Sequence, residues 1–118
     1  MEIDEAIKLF TQSEKIKAGL IWVSQTLSIL QGFHDLEKMG GEKIVHAILN
    51  MIAYEAKLAG TVAGNEGWNE VEAHIDRALV MINSGVGEEA TLHLSKALSK
   101  TTNFGQQSMS FLLERGLL

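Results

Sequence analysis

Residues 16–30, IKAGLIWVSQTLSIL, decide the fold that this chain is expected to adopt. Five branched apolar residues recur in this stretch at spacings of four, three, four and three: Ile16, Leu20, Val23, Leu27 and Leu30. Heptad spacing of this kind places the side chains on one stripe of an α-helix and is typical of a seam against a partner helix. The stretch therefore predicts a bundle of packed helices.

The first helix is predicted to extend outward from this seam, from about Ile3 to Lys38. A second apolar stripe covers a neighbouring face and consists of Trp22, Ile29, Phe33 and Leu36. Because the two stripes together are wide, this helix is expected to contact more than one element, within the bundle or across a subunit interface. Gly40 and Gly41 are predicted to cap its end, since glycine adopts the left-handed conformation without steric cost.

Three further helices are predicted from the remaining apolar periodicity. The second, about Glu42 to Val62, is apolar around much of its circumference and is expected to be the most buried element. A turn at Gly64 and Gly67 leads to an amphipathic third helix, about Trp68 to Asn83. The fourth opens at Glu88, and Gly105 is its weakest point, where it is expected to be able to break. The short connection at residues 84–87 makes helices three and four antiparallel neighbours.

The predicted fold class is therefore all-α, a four-helix up-and-down bundle with a long first helix, in a single domain of residues 1–118. The 118-residue length suits one hydrophobic core, and the absence of cysteine excludes disulfides and thiolate chemistry. The apolar stretches 19–33 and 44–63 contain too many polar residues to span a membrane. The acidic start of the chain does not match an export signal, so a cytoplasmic location is expected.

Nucleic acid is not expected as a partner, because the net charge is −5 and residues 65–89 are strongly acidic. No nucleophile elbow, phosphate loop, dinucleotide fingerprint or zinc motif occurs in the sequence. We therefore assign no catalytic residue, no metal ligand and no cofactor, and we expect a protein that is not an enzyme.

Three histidines each follow a glutamate by four residues: Glu42 and His46, Glu70 and His74, Glu89 and His93. This spacing puts both side chains on one helix face. One hypothesis is a His- and Glu-lined bundle that binds a metal or a small polar ligand. Against it, the ferritin-like pattern is Glu-x-x-His, and His74 and His93 flank the apolar stripes of their helices. The spacing therefore favours ion pairs at the edge of the bundle. It leaves open only whether His46, on the helix expected to be most buried, belongs to a binding site.

The segment His93-Leu94-Ser95-Lys96 resembles histidine phosphotransfer domains in one respect, the lysine three residues after the histidine. Those helical bundles have the order His-x-Leu-Lys-Gly, whereas Ser95 and Ala97 replace the leucine and the glycine here. The resemblance covers five residues and implies an exposed imidazole on which Lys96 and Lys100 would assist phosphoryl transfer.

The apolar end of the chain suggests association. Phe111, Leu112, Leu113, Leu117 and Leu118 place five large apolar residues in the last eight. A monomer has difficulty covering these together with both stripes of the first helix, although the tail could fold back into its own core. We therefore expect a homodimer that acts as a protein–protein interaction or assembly module. The residues assigned to partner binding are Trp22, Ile29, Phe33, Phe111, Leu112, Leu117 and Leu118.

Overall fold

The computed structural model describes residues 1–62 and 67–118, and it contains four α-helices in that part of the chain. They are α1 (Ile3–Leu30), α2 (Asp35–Val62), α3 (Trp68–Asn83) and α4 (Gly87–Glu114). Each helix packs against the next along the chain, and α4 closes the ring by packing against α1. The molecule measures 52 × 22 × 18 Å. This architecture confirms the predicted all-α four-helix bundle. The predicted turn residue Gly64 lies outside the described residues.

The register between neighbouring helices shows the up-and-down topology. Gly19 of α1 lies opposite Ile52 of α2, while Gly41 lies opposite Leu30 at the hairpin end. Ser13 likewise faces Gly105 of α4. As the residue numbers increase along one helix, the numbers of the contacting residues on its neighbour decrease. This pattern shows that the two helices are antiparallel.

The heptad seam of residues 16–30 forms the centre of the core, as predicted. Its five members are buried and join one hydrophobic cluster with residues from all four helices. Trp68 is the largest fully buried side chain, and its ring lies 4.6 Å from that of Phe104, measured between centroids. These contacts hold α3 and α4 together beside the seam.

The first helix ends at Leu30, not at Lys38 as predicted. Amides of residues 31–33 donate to carbonyls three residues earlier and close a turn, and α2 then starts at Asp35. Gly40 and Gly41 are therefore inside α2 and do not cap α1. The physical reason is close packing, because a Cβ at Gly41 would collide with the side chain of Leu30. The first helix is long, at 28 residues, but α2 and α4 have the same length.

The structure decides whether the fourth helix breaks at Gly105, and it shows that one further expectation, about α2, is wrong. α4 continues through Gly105 without a break, because Gly105 lies against Ser13 of α1, where a Cβ would come within 2.9 Å of the hydroxyl oxygen. α2 is not the most buried helix, since Ile44, Met51 and other apolar side chains on it are exposed. Among the described residues, no helix is long and apolar enough to cross a membrane.

Candidate interaction surface

Five large apolar side chains are exposed on the side of the bundle where α1 and α2 lie next to each other. We call this surface the α1–α2 apolar face; it consists of Trp22, Ile29, Ile44, Ile48 and Met51. Trp22 is 69 % exposed, Ile44 is 65 % exposed and Met51 is 60 % exposed. The positions 44, 48 and 51 follow helical spacing, and the register of Gly19 opposite Ile52 brings this stripe beside Trp22.

A groove of about 480 Å³ runs through this face between the two helices. We call it the α1–α2 groove; its apolar lining consists of Ile16, Ala18, Gly19, Trp22, Ile48, Met51 and Ile52. Gly19 lines this groove and places no side chain in it. A Cβ there would come within 3.0 Å of the terminal methyl carbon of Ile52.

Charged residues occupy one end of the groove. Lys15 Nζ donates to Glu55 Oε1 at 2.9 Å, and Gln12 Nε2 lies 3.2 Å from Glu55 Oε2. The hydrogen bond from Lys15, followed by that from Gln12, lowers the pKa of Glu55 below its ordinary value. The carboxylate is therefore ionised at neutral pH, and Lys15 neutralises it. The groove thus offers an apolar floor with a hydrogen-bond acceptor at its end.

The predicted partner-binding residues fall into three places. Trp22 and Ile29 are on the α1–α2 apolar face, and Phe33 is exposed in the turn that follows α1. Leu117 and Leu118 are more than half exposed at the opposite end of the molecule. The tail assignment is partly wrong, because Leu112 is buried in the chain's own core.

Phe111 is half-buried, and the Arg115 guanidinium covers its ring at 3.5 Å from the centroid. A cation stacked on the ring face gives this aromatic side chain a partner within its own helix. Phe111 is therefore less available to another protein than Trp22.

Sequence reasoning missed these three residues of α2: it counted Ile44 and Ile48 among the residues of a buried helix and did not consider Met51. The sequence contained a signal for this exposure. Apolar residues cover a wider arc of α2 than neighbouring helices in a four-helix bundle can bury. A helix in such a bundle turns roughly half of its surface outward. The surplus apolar arc therefore has to face solvent or another molecule.

The Glu-to-His spacing does not produce the predicted ion pairs. In the described part of the chain, none of the three glutamates forms a salt bridge with the histidine that follows it. Glu70 Oε2 instead lies 3.2 Å from Lys100 Nζ, across the α3–α4 interface. His46 Nδ1 lies 3.2 Å from Asn50 Nδ2 on its own helix.

His74 and His93 are half-buried at the edge of the bundle, as the apolar stripes predicted. His74 Nδ1 lies 3.1 Å from Arg77 Nη1, so the neutral ring can accept a hydrogen bond from the guanidinium. Burial lowers the pKa of His74 below its ordinary value, and the charges of Arg77, Lys96 and His93 lower it further. Glu70 opposes this shift.

The surroundings of His93 differ from those that phosphoryl transfer requires. Its Nδ1 atom is buried and has no hydrogen-bond partner among the described residues. Lys100, one of the two lysines that the resemblance assigned to the phosphoryl group, pairs with Glu70 and lies 5.6 Å from the centroid of the Phe104 ring. In the described residues, no group of three or more His, Cys, Asp or Glu side chains is placed to hold a metal ion.

Glu42 is a buried carboxylate. The sequence analysis considered it only as a partner of His46. It is only 8 % exposed, and its Oε2 atom has no hydrogen-bond partner among the described residues. The oxygen lies against Gly87 at the start of α4, where a Cβ would collide with it. Glu42 and His46 also line a cavity of about 300 Å³ beside the α3–α4 turn. The positive end of the α4 dipole favours a negative charge at this place.

The fold and the surface define a four-helix bundle with an exposed apolar face. Comparisons with protein-family models, with curated proteins and with solved structures find no significant match for this chain.

Proposed function

We propose that this chain is a non-catalytic interaction or assembly module that forms a homodimer through the α1–α2 apolar face. The exposure of Trp22 and its apolar neighbours is the observation that carries this proposal. Single exposed apolar residues are common on proteins, but a contiguous patch of large ones typically marks an association surface. We also propose a cytoplasmic location, which the absence of cysteine suits.

The size of the face supports a stable interface. Four of the five residues are at least 60 % exposed, and each partner in a standard interface buries about 800 Å². The polar rim around the face supplies the remaining area. A second copy that covered these side chains would remove most of this apolar surface from water.

The charges that line the groove do not oppose a second copy of the chain as the partner. The molecule carries a net charge of −5, so two copies repel each other at long range. The charged side chains that line the groove are Lys15 and Glu55, and these neutralise each other within one copy. Two apolar faces can therefore meet without bringing unpaired like charges into contact.

Sedimentation velocity from micromolar to millimolar concentration tests this proposal. The wild-type chain is expected to shift from monomer to dimer as the concentration rises. Trp22→Glu places a charge at the centre of the interface and is expected to weaken association by at least about 2 kcal/mol, the scale of an interface hot spot.

Val80→Glu is the matched control, because Val80 is 57 % exposed on α3 and lies outside the face. It introduces the same charge on another helix and is expected to associate like the wild type. The proposal fails if the wild-type chain stays monomeric at millimolar concentration, or if both variants weaken association equally.

A further inference from the structure

A polar groove lies between α3 and α4, on the opposite side of the ring of helices from the α1–α2 apolar face. We call it the α3–α4 groove. Its volume of about 360 Å³ falls within the range of about 300–1,000 Å³ that is typical of sites for small ligands. The side chains in its lining that carry hydrogen-bond donors are His74, Ser95, Lys96, Ser99, Lys100 and Asn103.

The sequence of α4 explains this concentration of donors. Residues 95–100 read SKALSK, so a serine followed by a lysine recurs after four residues. Positions four apart lie on one face of a helix, and two successive turns therefore each present a hydroxyl and an ammonium group to the groove. On the facing helix, Glu70 and His74 are likewise one turn apart and line the groove.

Several of these donors have no partner within the described chain. Thr101 of α4 donates its hydroxyl hydrogen to a carbonyl of its own helix, which is the usual partner of a hydroxyl inside a helix. Among the described residues, the hydroxyls of Ser95 and Ser99 and the amide of Asn103 form no such bond, and Lys96 forms no ion pair. These groups are available to a ligand.

The charges around the groove favour an anion. Lys100 Nζ lies 3.2 Å from Glu70 Oε2, so these two charges offset each other and leave the charge of Lys96. Burial and then the charges of Arg77 and Lys96 lower the pKa of His74, so both cations act at this place. Although the chain is acidic, charges more than about 8 Å away are largely screened at physiological ionic strength.

We propose that the α3–α4 groove binds a phosphate dianion, either free or carried as a monoester by a small molecule. This inference goes beyond the proposed interaction module and does not depend on it. The Lys96 ammonium supplies charge, and the hydroxyls of Ser95 and Ser99 donate hydrogen bonds to the phosphate oxygens. The neutral His74 ring adds a donor, because its Nδ1 accepts from Arg77 and its hydrogen is therefore on Nε2.

Phosphate fits these donors better than a carboxylate does. A carboxylate is matched by the planar fork of arginine, and the Arg77 guanidinium is engaged with His74. Ammonium groups and hydroxyls instead donate from several directions. A tetrahedral phosphate group presents oxygens in several directions and carries a charge of about −1.5 to −2 at about pH 7. It therefore offsets the charge of Lys96 without displacing Glu70 from Lys100.

NMR titration of the isotope-labelled chain with inorganic phosphate tests this site. The titration is made at about pH 7.5, where phosphate is mainly a dianion, and sodium chloride keeps the ionic strength constant. The backbone amides of residues 95–100 and the ring protons of His74 are expected to shift along a saturable curve. A Kd on the order of 1 mM is expected for so exposed a site.

Two variants and a control locate the binding. Lys96→Gln is expected to weaken phosphate binding about three- to tenfold, the effect of losing one hydrogen bond. Ser99→Ala keeps every charge, and its weaker binding is expected to distinguish a specific site from general attraction to lysines. Lys8→Gln removes the same charge as Lys96→Gln from an exposed position on α1, outside the groove, and is expected to bind like the wild type. Circular dichroism verifies that the variants are folded.

A titration with phenyl phosphate distinguishes the two sources of the anion. Tighter binding than that of inorganic phosphate assigns the groove to a monoester, since the organic group then adds contacts such as one with Leu92. Equal or weaker binding assigns it to free phosphate.

The inference is wrong if phosphate produces no saturable shift in the groove, or if sodium acetate shifts the same resonances with equal affinity. It is also wrong if Lys8→Gln weakens binding as much as Lys96→Gln does. Sedimentation measures self-association separately, so a monomeric chain that binds phosphate would refute only the proposed function.

Discussion

Glu42 and His46 are one helical turn apart, yet only the carboxylate is nearly sealed from water. The difference arises because Glu42 turns toward the start of α4, whereas His46 lies at the rim and approaches Asn50. Spacing along one helix places two side chains on the same face, but the neighbouring helices decide which of them finds a partner. Glu70 gives a second example, because it pairs with Lys100 of α4 and not with His74 on its own helix.

A pH-dependent stability is predicted from His74. Its pKa is lowered in the folded state, so the unfolded chain takes up a proton more readily as the pH falls. Stability is therefore greatest above the ordinary histidine pKa of about 6.5 and decreases as the pH falls below it. His74→Gln is expected to lose less stability between about pH 7 and about pH 5 than the wild type does, because it lacks this proton uptake.

Urea unfolding at several pH values measures this difference. The titration of the His74 ring protons by NMR provides an independent measurement of the pKa. Arg77→Gln serves as a second variant, since removal of a neighbouring cation should raise the pKa of His74 and reduce the pH dependence. An unchanged pH dependence in His74→Gln would contradict this account.

At the scale of the helix, α2 differs most from expectation, because it begins earlier and is more exposed than its sequence suggests. Its buried face is narrow, and Val45, Leu49, Ile52, Ala56 and Ala59 form it. The small residues Ala56 and Ala59 allow close packing toward the bundle axis. The apolar residues on the side next to α1 remain outside and build the interaction face.

Substitution of two adjacent glycines tests whether α2 is continuous. A Cβ at Gly40 meets nothing within 4 Å, so Gly40→Ala is expected to stabilise the fold by about 0.5–1 kcal/mol through helix propensity. A Cβ at Gly41 would collide with Leu30, so Gly41→Ala is expected to be about 1–3 kcal/mol less stable than Gly40→Ala. Chemical denaturation of the two variants measures both effects.

The two glycine variants also test the alternative that a helix ends at Gly40 and Gly41. A glycine in a left-handed cap conformation is destabilised by alanine. A loss of stability in Gly40→Ala would therefore place the end of a helix at this position and contradict the continuous α2.

At the scale of the whole molecule, packing is unequal around the ring of helices. α4 packs most extensively, against both α1 and α3, and small buried residues such as Ser13 and Gly105 allow a close approach there. α2 packs less extensively against both of its neighbours, α1 and α3, and the α1–α2 groove lies on its α1 side. The bundle is elongated, at 52 × 22 × 18 Å, so its α1–α2 side is long.

Self-association predicts that the melting temperature depends on protein concentration. Dimerisation stabilises the folded state by mass action, so Tm should rise by a few degrees for each tenfold increase in concentration. Trp22→Glu should melt at a Tm that is independent of concentration, whereas Val80→Glu should behave like the wild type. Differential scanning calorimetry measures this, and a constant Tm for the wild type would contradict the proposed dimer.

The fold class and the core seam follow from the amino-acid pattern alone. The heptad of residues 16–30 fixes which stripe of α1 is buried, because a helix can bury that stripe only against other helices. It also supplied Trp22 and Ile29 as candidates for the interaction face. These features depend on periodicity along one helix, which a sequence contains in full.

The ends of the helices and the identity of the second, exposed stripe depend instead on contacts between helices. Gly40 and Gly41 could equally cap one helix or allow close packing inside the next, and the contact with Leu30 selects packing. Ile44, Ile48 and Met51 could equally be core or surface. Their exposure follows from which helices α2 touches, and contacts between residues distant in sequence leave no periodic signal in either segment.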